Sequence, residues 1–142
     1  MGGERRLTEK ELSQIHYINI EIETIKEDLN RLNGRSQVKG QEITGMPFGS
    51  GISDKTADSA IETAELQMLL EVTIKRLYLV RNSIERFLQT IDDPEMRLII
   101  RLRSINDMGW QEIGDELGMS RTTASRKYKQ FCKDKFAHNA RP

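Results

Sequence analysis

Arg121, Thr122, Ser125, Arg126 and Lys129 lie within nine residues near the end of the chain. If Ala124 and Tyr128 point inward, helical geometry turns these five outward together. A guanidinium can fork onto O6 and N7 of guanine, and hydroxyls contact phosphates or read bases ambiguously. The chemistry on offer is therefore recognition of DNA through its major groove, with Arg121 and Arg126 carrying most of the direct specificity. Ser120, which stands where a hydroxyl can cap the helix, joins the candidate DNA-binding set, and Lys127, Lys133 and Lys135 are phosphate contacts or solvated charge.

Bond-making chemistry finds no such constellation. The imidazoles are His16 and His138 and the only thiol is Cys132, too few for a zinc set or an intrachain disulfide. The carboxylates are scattered without metal spacing, so the sequence predicts no enzyme, no metal, no cofactor and no small-molecule substrate. The fold of a serine recombinase or transposase would need more chain than remains outside this segment.

The chain has 142 residues and a formal net charge of zero. Its positive charge is local: Ser120 to Pro142 hold seven Lys and Arg against one acid, Asp134. A basic segment alone fits either nucleic acid or a solvated terminus, so the pattern around it must decide. No apolar run approaches the roughly 18 residues that span a bilayer. The opening Met1-Gly2-Gly3-Glu4-Arg5-Arg6 has no apolar stretch of the signal-peptide kind. A cytoplasmic protein without membrane contact is expected.

The elements that must position the basic segment are helical. Leu12, Ile15, Ile18, Ile22, Ile25, Leu29 and Leu32 step by three and four, a coiled-coil-like stripe, and Thr8 with Glu11 resembles a capping box. A helix is predicted from about Thr8 to Asn33, ended by Gly34. Residues 34–53 carry five glycines and Pro47 and read as a flexible loop whose apolar centre is Met46, Pro47 and Phe48. Ser53 or Asp54 caps a second helix that nothing breaks before Ile91, about 55 Å long at 1.5 Å per residue. Leu66, Leu70, Ile74, Leu77, Ile84, Phe87 and Ile91 form one stripe on it, and Ile61, Ala64, Met68, Val72 and Leu79 another. The first helix cannot cover both, so residues 1–91 are predicted to oligomerise, with a homodimer the simplest case.

Asp92, Asp93 and Pro94 break the helix and start the next, which sets a domain of residues 92–142. Leu98, Ile99, Leu102 and Ile105 mark its first helix, closed by Asp107, Met108 and Gly109. Trp110 to Leu117 form a short second helix, and Arg121 to Lys135 a third. Gly114 supplies the small residue where two helices cross, and Gly118 the positive φ of a tight turn. Ile113, Leu117, Met119, Ala124, Tyr128 and Phe131 face inward, and Trp110 seals the crossing. The predicted fold is all-α: a long helical hairpin followed by a helix-turn-helix domain.

The stretch Gly109 to Phe131, with its Gln-Glu-Ile-Gly-Asp-Glu-Leu-Gly-Met-Ser core, resembles the fourth conserved region of sigma factors. Over its full length the chain resembles phage regulators of the RinA and ArpU kind. It shares a helical N-terminal part, an Ile43-Thr44-Gly45-Met46-Pro47 loop ending Ser53-Asp54-Lys55-Thr56, and a sigma-like C-terminal domain. The resemblance implies an activator of late phage genes in a bacterial host, with double-stranded DNA as partner and RNA polymerase as a further contact. Two other readings stay open: a phage small terminase subunit, whose DNA-binding domain usually comes first, and a module that binds polymerase or a sigma factor without primary DNA contact.

Overall fold

The computed structural model describes residues 7–42 and 51–137, with the side chains of residues 7–34 and 57–137. The described residues are all helix and connecting turns, with no strand. A 3-10 turn, Glu9–Ser13, leads into α1, Gln14–Glu42. Helix α2 spans Gly51–Leu88 and α3 spans Pro94–Ile100. Helix α4 spans Trp110–Leu117 and α5 spans Arg121–Phe136.

Thr8 caps the start as the sequence predicts, its hydroxyl accepting from the Glu11 amide at 3.4 Å. The expected stop at Gly34 does not occur, because α1 continues to Glu42. A single glycine inside a helix costs only about 1 kcal/mol, and Arg35, Gln37, Lys39 and Gln41 on its far side are good helix formers. With α2 beginning at Gly51, residues 34–42 and 51–53 of the predicted loop are helical, and the rest of it, Met46, Pro47 and Phe48 included, lies outside the described residues. At its other end α2 stops at Leu88, slightly before the predicted Ile91.

The chain divides into two compact units, Met1–Tyr17 with Leu77–Pro142, and Ile18–Arg76. The break at Asp92 to Pro94 is present: the Asp93 carboxylate accepts from the Glu95 amide at 3.0 Å and Pro94 opens α3. It is not a boundary between units, however. Leu12 and Ile15 of the N-terminal segment and Ile84 and Leu88 of α2 are buried in one cluster with Ile91, Ile100, Cys132 and Phe136. About fifty residues make a marginal core by themselves, and these apolar side chains enlarge it. Phe87 joins it edge-on to Phe131 at 6.3 Å and stacked on Phe136 at 5.9 Å.

A two-pronged ion pair reinforces the same unit. The Arg101 guanidinium donates to both oxygens of Glu85, at 2.6 and 2.9 Å. These donors hold the Glu85 carboxyl below its ordinary value, and Glu85 in turn raises Arg101.

In the other unit, Ile18, Ile22 and Ile25 continue the buried stripe of α1. Thr73 is buried too, its hydroxyl satisfied by the Leu69 carbonyl one turn back at 2.7 Å. Glu21 of α1 and Arg76 of α2 come within 3.9 Å. The second predicted stripe of α2 stays outside, with Ile61, Met68 and Val72 of this unit and Leu79 of the first all more than half exposed.

Candidate functional site

Beyond α3 the backbone widens into π-helical turns over Arg101–Ile105, with the Asn106 amide donating to the Arg101 carbonyl. The stretch closes at Asp107, which takes a left-handed conformation at φ 57°, a region that aspartate tolerates better than most residues. Gly109 then serves as N-cap of α4 with ordinary negative φ. Asp107 also meets His16 of the N-terminal segment, Oδ1 to Nδ1 at 2.8 Å.

The turn between α4 and α5 meets both glycine requirements. Gly118 ends α4 at φ 69° and ψ 36°, its amide donating to the Gly114 carbonyl. Gly114 is buried, and a Cβ placed there would stand 2.5 Å from the Met119 carbonyl oxygen and 3.2 Å from the Arg121 amide. Only hydrogen fits that gap, so the glycine sets how closely the turn folds back on α4. Ser120 starts α5: its hydroxyl accepts from the Thr123 amide at 3.1 Å and donates to the Thr123 hydroxyl at 2.8 Å. Ile113 and Ala124 are fully buried behind the turn, so the arrangement is a helix-turn-helix.

Aromatic packing fixes the other side of α5. Trp110 lies 5.2 Å from Tyr128, with the Arg103 guanidinium 4.5 Å from its ring centre. Arg103 is held in turn by the Met108 carbonyl at 3.1 Å. Burial pushes the Tyr128 hydroxyl up to about 12 and the Cys132 thiol up to about 11. Cys132 is thus a protonated core residue at neutral pH, the opposite of an activated nucleophile.

An open groove runs along the exposed side of α5, lined by Arg121, Thr122, Ser125, Arg126, Lys129 and Lys133 together with Trp110, Gln111 and Gln130. Six of the nine residues singled out from the sequence therefore share one surface. Arg121, Arg126, Lys129 and Lys133 are exposed, and among the described residues none of them enters an ion pair.

Ser120, Lys127 and Lys135 are not among its lining residues. Ser120 spends its hydroxyl on capping. Lys127 reaches back to Glu95 at 2.5 Å, in a second groove that includes Ile91, Asp93, Met96, Phe131 and Asp134. Helical geometry explains the difference, because Lys127 sits about 100° further round α5 than Arg126. Gln111 and Gln130 were missed by the sequence reading. Gln111 could have been found by asking which α4 residue borders the third helix once Trp110 packs on Tyr128. Glutamine carries the paired donor and acceptor that match adenine.

Among the described residues no cluster of His, Cys, Asp or Glu could hold a metal ion. None of the described helices is long and apolar enough to cross a membrane. No curated protein and no solved structure matches the chain. A family model does match residues 10–137, from the first turn to the end of α5, and its description reads "Protein of unknown function (DUF722)". The match takes in nearly all the described residues, and the chain belongs to that family.

Proposed function

We propose that the chain is a sequence-specific DNA-binding transcription regulator, a phage or prophage late-gene activator acting near a promoter as a homodimer. One observation carries this reading: four cations with no ion-pair partner among the described residues line the exposed side of the second helix of a helix-turn-helix, beside Thr122, Ser125 and Gln111. A helix presented in this way enters the major groove, with its first residues at the base edges. Arg121, Thr122, Ser125 and Arg126 then meet bases, and Lys129 and Lys133 meet phosphates. The sequence resemblance to sigma-like phage regulators supports the same reading and adds RNA polymerase as the contact through which activation follows. No catalytic step belongs to it.

Binding measured across a salt series tests the reading. Each neutralised phosphate steepens the fall of log affinity with log salt by about 0.9. Once a random pool has yielded the preferred site, Arg126→Ala should weaken that site by about 1–3 kcal/mol and leave random DNA nearly unchanged. Equal loss on both would move Arg126 to the phosphates. A flat salt response would replace DNA with a protein partner.

A further inference from the structure

Helix α2 is apolar on two opposite sides. At 100° per residue, Leu66, Leu70, Ile74, Leu77 and Ile84 fall on the side that is buried or half-buried. Ile61, Met68, Val72 and Leu79 fall within about 20° of a common line on the other side. These four are 57%, 67%, 53% and 68% exposed, although no two of them are adjacent in sequence. The line is bounded, since beyond Leu79 the same side carries Asn82, Ser83 and Arg86. An exposed apolar stripe with polar borders marks an association surface.

The spacing along the stripe is symmetrical. Ile61 and Leu79 stand nine residues either side of Leu70, and Met68 and Val72 stand two. We propose that a second copy of this chain covers the stripe, α2 against α2 and antiparallel, about a two-fold axis level with Leu70. This deepens the homodimer in the function proposed above and rests on it. Ile61 of one copy then meets Leu79 of the other, and Met68 meets Val72, so one pattern satisfies both chains, as an isologous interface requires.

Charge selects the direction. Glu65 and Arg76 lie on the same flank of the stripe, five and six residues from Leu70, and both are exposed. Across an antiparallel pair, residues of the same flank face each other, so Glu65 of each copy meets Arg76 of the other. The contact of Arg76 with its own Glu21, at 3.9 Å and more than half exposed on both sides, leaves it available. A parallel pair would instead bring Lys75, on the opposite flank, against Arg76. Like charges would then border the interface twice.

Cross-linking of the full chain tests the register. Ile61→Cys and Leu79→Cys proteins are prepared separately and treated with a short bifunctional thiol reagent, alone and mixed. Both positions are exposed, so the exchanges leave the core intact, and the parent chain, with only buried Cys132, is the blank. The mixture should cross-link efficiently and neither protein alone, because two copies of residue 61 lie about 27 Å apart along the axis. Cross-linking of Ile61→Cys to itself overturns the antiparallel pair. Sedimentation should show a dimer, and Met68→Lys should weaken its association at least tenfold. A monomer at all concentrations, or a larger ring, overturns the proposal. A monomer that still binds DNA with a steep salt slope removes the pairing alone. An antiparallel dimer without DNA affinity removes the regulator reading and keeps the pairing.

Discussion

The helix-turn-helix and the outer side of α2 use the same polymer geometry for opposite ends. Around Gly114 every inward position is filled: Ile113 and Ala124 are fully buried, the turn closes on a left-handed glycine, and Ser120 satisfies an α5 amide. What its second helix, α5, leaves outside is polar and mostly cationic. Along the outer side of α2 the residues left outside are apolar, and no turn or cap restricts them. The first region is specified by the chain itself and, in the function proposed above, offers its surface to DNA. The second is a good helix with its apolar face unspent, and in the pairing proposed above a second copy of the chain completes it.

Substitution at Gly114 probes this difference with the largest effect. The backbone atoms of Met119 and Arg121 that an added Cβ would strike cannot swing away as a side-chain end could. Overpacking of this kind typically costs 1–3 kcal/mol. Gly114→Ala should sit at the upper end, about 3 kcal/mol by denaturant unfolding, and should abolish DNA binding by displacing α5. A loss below about 0.5 kcal/mol, the range of an ordinary surface exchange, would show that the turn is not fixed by that contact.

The motif was legible in the sequence because its constraints are local. A left-handed turn demands Gly118, a tight crossing demands Gly114, and a cap demands Ser120, all within seven residues. The two stripes of α2 were legible for a similar reason, since periodicity survives whatever the partner is. Two features were not. Gly34 looked like a stop because glycine often follows helices, yet its cost is small enough for its neighbours to outweigh. The boundary at Asp92 marked a real break between helices and hid the fact that Leu12, Ile15, Ile84 and Leu88 complete the core of the C-terminal unit. That cluster brings together residues as far apart as Leu12 and Phe136, more than a hundred positions, and no local pattern announces such a meeting. Lys127 fell between these cases: its charge was plain and its partner Glu95, 32 residues earlier, was not.

The pair joining Glu85 to Arg101 gives a smaller effect and a pH signature. Folding lowers the Glu85 carboxyl below its ordinary value of 4.5, so the folded state holds that proton less tightly than the unfolded chain. The pair's contribution is therefore present above the ordinary value and is lost as pH falls through the lowered one. The side chains are 35% and 32% exposed, and solvent screening limits even a two-pronged pair to about 0.5–1 kcal/mol. Glu85→Gln should lose that amount at pH 7 and match the parent at a pH low enough to protonate Glu85. Equal loss at both pH values would assign the effect to packing.

The smallest expected effect tests the other region. Valine and serine have similar helix propensities, so Val72→Ser removes apolar surface from the outer side of α2 and little else. Because that side chain is 53% exposed, the dilute monomer should change by less than about 0.5 kcal/mol. At concentrations where copies pair, the same exchange should lower the melting temperature, since association stabilises the folded state by mass action. The effect must therefore grow with protein concentration. If it does not, the outer stripe has no partner of its own kind. If the dilute monomer loses several kcal/mol, Val72 is packed within one chain, and α2 is as self-sufficient as the motif around Gly114.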